Sequence, residues 1–256
     1  MTAATTSWQA DETCEGFEAY RDLPEQLLGY ENVFRALGLD RGGARVVLDY
    51  GCGPGKVARR AAHRFGVRVH ALDSSIRMLE LATRMRPHPL VEYSLVEDDR
   101  APFLPDGAVD GAMACYVFIN TAQEARIQRV AEEVFRIVKP GGRFVVLDTN
   151  PATTGVEFST FRCGEPGRTY AYGDRREVRL RQDGGRDLVL IDYHWPKDVY
   201  ERVLGRAGFE LVEVLEPTLE DVPAEALASF EAEHGPVAWR GERHSPPFVI
   251  FVGAKP

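Results

Sequence analysis

The sequence predicts a doubly wound α/β domain built on a mostly parallel sheet. Short β-branched runs alternate with segments of helical period between Arg45 and Leu147. Glycines cluster directly after the first run, and Phe144-Val145-Val146-Leu147 is wholly apolar, as a parallel strand covered on both faces should be.

The elements follow in order. Up to about residue 44, Trp8, Phe17, Tyr20, Leu27, Leu28, Tyr30, Val33 and Phe34 recur at loosely helical spacing, so one or two helices precede the sheet, stopped by Gly38 and Gly42-Gly43. Arg45 to Tyr50 reads as the first strand, and Lys56 to Phe65 as the helix after it. Val67 to Leu72 is a second strand ending at Asp73, after which Ser74 or Ser75 caps a helix that Pro87 and Pro89 close. Leu90 to Val96 and Val109 to Tyr116 give two more strands. Thr121 with Glu124 spells a capping box for a helix whose apolar face is Ile127, Val130, Val134 and Ile137, and Lys139-Pro140-Gly141-Gly142 ends it. The pattern then changes. Arg168 to Tyr172, Val178 to Arg181 and Leu188 to Tyr193, with Asp183-Gly184-Gly185 as a turn, read as an antiparallel patch inserted over residues 155–194. A helix at Lys197 to Ala207, a strand at Phe209 to Leu215, an acidic helical stretch near Leu219 to Glu233 and a strand at Phe248 to Val252 complete the chain. The expected organisation is an N-terminal helical lid over residues 1–44 and a core over 45–256 that carries the insertion.

Composition narrows the function. A net charge of −8 gives no global attraction to phosphate backbones, which argues against nucleic acid. No apolar stretch reaches the roughly 18 residues of a membrane helix, and Met1 to Ala10 does not read as a signal segment, so a cytoplasmic protein is expected. Cys14, Cys52, Cys115 and Cys163 lie far apart with no C-x-x-C pair, so free thiols and no metal are expected.

The chemistry is concentrated in Asp49-Tyr50-Gly51-Cys52-Gly53-Pro54-Gly55. Alternate glycines after a strand let the backbone turn tightly and approach a ligand with no Cβ between them. A dinucleotide fingerprint needs its third glycine where Lys56 stands, and a phosphate-cradling Walker loop needs a different spacing. With Asp49 two residues ahead of Gly51, VVLDYGCGPG resembles the first motif of class I S-adenosylmethionine-dependent methyltransferases. LDSSIRMLELA is similar to that family's second motif, VEDDRAPFLPDGAVDGAM to its third region, IVKPGGRFVVLDTNP to its turn into the fifth strand and AGFELVEV to its late helix-to-strand passage. Together these span roughly residues 45 to 215.

The resemblance implies a seven-stranded Rossmann-like sheet, S-adenosylmethionine as methyl donor and S-adenosylhomocysteine as product. It implies that Asp49 and the loop residues Gly51, Cys52, Gly53 and Gly55 hold the methionine part, and that Asp73 and Ser74 sit at the ribose. Met78 then packs on adenine, and Asp98 or Asp99 bonds its amine. Glu97 replaces the usual glycine there and leaves that choice open. A carboxylate at a strand end suits the cofactor's ammonium, and an acid closing the second strand suits ribose hydroxyls.

The acceptor is expected to approach loops after the fourth and fifth strands, near Cys115, Tyr116, Asn120, Thr149 and Asn150, with aromatics of the insertion beside it. Such a set suits a small, planar organic acceptor methylated on nitrogen, oxygen or carbon. Phe158, Phe161 and Trp195 are expected to pack the insertion's own core. Methyl transfer needs alignment above all, and a base only for a protonated acceptor. His194 and Tyr116 are the catalytic candidates, although His194 equally suits a structural cap or a substrate hydrogen bond. Tyr20 and Tyr30 are candidates for closing the lid over the cofactor, or for plain packing. The layout is similar to bacterial natural-product methyltransferases, working as a monomer or homodimer. A non-catalytic cofactor-binding subunit and a nicotinamide-dependent oxidoreductase are the alternatives.

Overall fold

In the computed structural model, which describes residues 5–182, 184–185 and 187–256, a seven-stranded sheet has the order β3-β2-β1-β4-β5-β10-β9. Its strands are β1 (Val46–Tyr50), β2 (Arg68–Asp73), β3 (Val91–Leu95), β4 (Val109–Cys115), β5 (Val138–Thr149), β9 (Glu210–Leu215) and β10 (Phe248–Ala254). β10 alone runs antiparallel to its neighbours β5 and β9. Because β1 pairs with β2 on one side and β4 on the other, the strand order reverses there, and a crevice opens beyond the carboxyl ends of β1 and β4.

Helices cover both faces, as the apolar strands require. α3 (Lys56–Phe65) and α4 (Ile76–Met85) follow β1 and β2, and α5 (Glu124–Ile137) and α6 (Lys197–Ala207) pack together on the other side. Tyr200 stacks on Phe251 with centroids 4.6 Å apart and 6° between the rings, tying α6 to β10. The expected capping box does not form. α5 starts at Glu124, and the Thr121 hydroxyl donates to the Val117 carbonyl. Glu124 faces Arg202 and Arg206 of α6 instead, so helix-helix ion pairing wins over capping. Lys139 to Gly142 does not separate helix from strand either. Val109 pairs with Val138 and Gly111 with Arg143, so these four residues are carried inside β5 as a bulge.

The antiparallel unit holds β6 (Phe161–Cys163), β7 (Arg175–Leu180) and β8 (Leu188–Tyr193). Its first strand is not Arg168 to Tyr172. That stretch is a loop, in which Tyr170 turns inward so that its hydroxyl accepts from the Glu165 N–H at 3.0 Å, while Tyr172 stays exposed against the edge of Trp195. An alternation of aromatics there marks two separate anchors. Asp183 of the expected turn lies outside the described residues. Arg176 fixes the unit to the main sheet: buried, it makes a two-pronged pair with Asp192, at 2.9 Å to each oxygen, and donates to the Thr149 hydroxyl at 2.8 Å. Such complete pairing is what offsets the several kcal/mol that burying each charge costs.

Ahead of the sheet lie α1 (Asp11–Ala19), a π-helical turn (Glu25–Tyr30) and α2 (Glu31–Ala36), which runs on from it. α7 (Ala224–His234) precedes β10. No helix among the described residues is long and apolar enough to cross a membrane.

Candidate active site

At the end of β1 the chain reverses at Gly51, whose φ of 77° an L side chain rarely adopts. The Gly51 and Cys52 N–H groups both donate to the Leu72 carbonyl, at 2.7 and 2.8 Å, which binds the loop to the end of β2. A Cβ at Gly51 would lie 2.4 Å from Val117, so the loop and the segment after β4 touch there. Gly53 also has positive φ, but a Cβ there would meet nothing within 4 Å. Its N–H donates to Asp73 Oδ2 at 2.8 Å, and Asp73 Oδ1 accepts from the Ser75 N–H at 2.8 Å. Asp73 therefore joins the loop to the start of α4, and its remaining lone pairs face a cavity.

Asp49 is the unusual group. It is 1% exposed, and its Oδ2 has no hydrogen-bond partner. Burial, and then the neighbouring Asp73 charge, push its carboxyl up to about 7, against a smaller lowering by the Ala58 backbone N–H. A carboxylate so placed is stabilised by a cation, and the described residues bring none to that oxygen.

One cavity of about 210 Å³ connects this corner to the insertion. Asp49, Gly51, Cys52, Gly53, Asp73 and Ser74 line its inner end, with Met78 and Val96 beside them. Cys115, Tyr116, Tyr20 and Tyr30 line it further on. Five of the cofactor, catalytic and acceptor candidates lie outside the lining, among them Asn150, whose side-chain amide donates to Glu216 at 2.6 Å. Gly55 caps α3 with φ 78°, where a Cβ would strike Tyr93 at 2.5 Å, so its role is close packing. Asp99 is buried and taken by Arg126 Nε at 2.8 Å and Arg129 at 3.0 Å. Asp98 is exposed and keeps a carboxylate free of these partners. His194 is buried with Nδ1 unpartnered, near the Tyr170 ring, and burial followed by the Arg176 charge lowers its pKa, which favours the neutral imidazole. Phe161, expected to pack only within the insertion, reaches the cavity and stacks on Phe248, whereas Trp195 and Phe158 are buried away from it.

Lys56 carries a role that sequence reasoning missed. At the start of α3, its ammonium donates to the Tyr20 carbonyl at 2.8 Å and the Phe17 carbonyl at 3.2 Å, at the C-terminal end of α1. Arg86 pairs with Glu18 through two bonds of 2.7 and 2.6 Å and donates to the Pro54 carbonyl at 3.0 Å. Together they clamp α1 onto the glycine loop, and Trp8 and Phe17 join the cavity wall. Asp22 and Glu25 also line it and were missed. Their only sequence signal is two acids flanking Leu23-Pro24 between Tyr20 and Leu27. Among the described residues no group of three or more His, Cys, Asp or Glu is arranged to hold a metal.

Comparison with known proteins agrees with this geometry. Residues 47–142 match the family model described as a methyltransferase domain. The chain is 37% identical over 222 residues to N-demethylindolmycin N-methyltransferase of Streptomyces griseus, covering 85% of this chain and 91% of that one. Among solved structures, the CcbJ methyltransferase of Streptomyces caelestis superposes with a TM-score of 0.57 at 21% identity, covering 86% of this chain and 94% of that one. An S-adenosylmethionine-dependent methyltransferase from Mesorhizobium loti gives 0.55 at 22%, covering 87% and 95%. At such identities the structures speak for the fold, and the Streptomyces griseus relative speaks for the family. The chain belongs to the class I S-adenosylmethionine-dependent methyltransferases.

Proposed function

We propose that this enzyme methylates a nitrogen atom of a small heteroaromatic natural-product intermediate. The observation that carries the cofactor half is the buried, unpartnered Oδ2 of Asp49 at the mouth of the glycine loop. It receives the cofactor's ammonium, Asp73 and Ser74 meet the ribose hydroxyls, and Met78 and Val96 flank the adenine. Of the two acids after β3, Asp98 is the one for the adenine amine, because Asp99 is spent on arginines. The bound cofactor supplies a methyl group on a sulfonium, activated for in-line displacement.

The rest is positioning. Tyr116 stands at φ 63°, a conformation costing about 1–2 kcal/mol for a residue with a Cβ. Its N–H bond to the Leu147 carbonyl and the Asn120 side-chain bond to its own carbonyl, 2.8 and 2.5 Å, hold it there. The unpartnered Tyr116 hydroxyl is thereby buried at the acceptor end. α1, held by Lys56, excludes water. The choice of nitrogen rests on the named activity of the Streptomyces griseus relative. The acceptor is a small molecule and not a nucleic acid, in keeping with the net charge of −8, and the enzyme works in the cytoplasm as a monomer or homodimer.

The test is turnover of S-adenosylmethionine by purified protein with N-demethylindolmycin and a panel of heteroaromatic amines, phenols and azaheterocycles. Formation of S-adenosylhomocysteine with an N-methylated product supports the proposal. Cofactor binding with no methylated product from any acceptor contradicts it.

A further inference from the structure

Two acids at the acceptor end of the cavity have no work in the cofactor half. Glu25 opens the π-helical turn and is 5% exposed; Asp22 precedes it and is 6% exposed. Glu25 Oε1 accepts from the Tyr20 hydroxyl at 2.7 Å, and that hydroxyl also meets Thr160 Oγ1 at 2.7 Å. Asp22 accepts from Gln26 at 2.7 Å through Oδ1. The other oxygen of each, Glu25 Oε2 and Asp22 Oδ2, is buried without a partner, as is the Tyr116 hydroxyl. Apolar Phe161, Leu180 and Leu190 line the same cavity as the two acids. Two buried acceptor atoms beside an apolar wall recognise a flat molecule that presents N–H donors.

We propose that Glu25, with Asp22 beside it, binds the N–H edge of the acceptor and takes its proton as the methyl group is transferred. This rests on the methyltransferase reading above. In the step, the acceptor nitrogen gains a bond to the methyl carbon. The methyl–sulfur bond breaks with its electron pair left on sulfur, and the proton leaves nitrogen for Glu25 Oε2. Burial, then the Asp22 charge, push the Glu25 carboxyl up to about 8, which gives it the basicity to receive that proton near neutral pH. The groups facing it are Asp22, Tyr20 and Tyr30 from its own segment, Lys56 from α3, Tyr116 after β4 and Cys163 from β6.

The test compares wild type with Glu25→Gln and Asp22→Asn. Calorimetry first measures S-adenosylmethionine binding, which both variants should keep within about twofold if they are folded; a wild type without affinity would remove the methyltransferase reading itself. Next, tryptamine, imidazole and 2-aminopyridine, with tryptophol as the hydroxyl control, are titrated into protein loaded with S-adenosylhomocysteine. At least one amine should bind wild type, and bind Glu25→Gln about tenfold or more weakly. For that amine kcat/KM should fall on the order of 100-fold in Glu25→Gln and less in Asp22→Asn, with the rise of wild-type rate through about pH 8 absent from Glu25→Gln. Cofactor binding without affinity for any amine, or amine binding, rate and pH profile unchanged in Glu25→Gln, would overturn the proposal.

Discussion

The two ends of the cavity are built in different ways. The proposed cofactor end is local: Asp49, the glycine turn, Asp73 and Met78 lie within 30 residues of each other, and two neighbouring strands bring them together. The proposed acceptor end gathers Asp22 and Glu25 from the N-terminal segment, Tyr116 from the loop after β4, Thr149 from the end of β5 and Leu190 from the insertion. A site made by one βαβ unit tolerates change elsewhere, whereas a site made by packing of distant segments depends on what holds those segments together. Here that is Lys56 on one side and the Arg176–Asp192 pair on the other.

Three substitutions sharpen this contrast. Asp73→Ala removes the bridge between the Gly53 and Ser75 N–H groups as well as the proposed ribose contact, so S-adenosylmethionine affinity should fall about 100-fold by calorimetry, with secondary structure retained by circular dichroism. Lys56→Met keeps the aliphatic stem but loses both bonds to the end of α1. It should lower kcat/KM about tenfold and speed proteolysis before residue 25 while changing cofactor affinity less, because α1 loosens and the loop does not. His194→Gln is the smallest, with kcat within about threefold of wild type in the turnover assay, since the ring lies outside the cavity lining. A 100-fold loss there would restore the histidine as a base and redraw the acceptor end.

The same contrast explains what could be read from the sequence. Strand-helix alternation and the glycine spacing are local signals, so the doubly wound sheet and the first two motifs were legible. The first strand of the insertion was misplaced because Tyr170 and Tyr172 alternate for separate packing reasons, and the true strand, Phe161–Cys163, is too short to show a period. Thr121 and Glu124 spelled a capping box, but Glu124 has better partners in Arg202 and Arg206, about 80 residues away in the chain. Lys56 looked only like a defect in a fingerprint; nothing near it in sequence reveals the helix end whose carbonyls it binds. Asp22 and Glu25 were illegible for the same reason. An acid in a helical stretch reads as solvated until the fold buries it.

The measurement that bears most directly on the account is Asp49→Asn, followed by thermal denaturation and S-adenosylmethionine calorimetry. A carboxyl held at about 7 against an ordinary value of 3.8 contributes fully to stability only below about pH 4, and that contribution is lost as pH rises to about 7. At pH 8 the buried charge costs the free protein up to about 4 kcal/mol. Asp49→Asn should therefore raise the Tm of the free protein by several degrees at pH 8, with little change at pH 4, while weakening cofactor binding at pH 8 at least about 30-fold. Unchanged cofactor affinity in the variant would contradict the claim that this carboxylate is kept unpaired for the cofactor's ammonium.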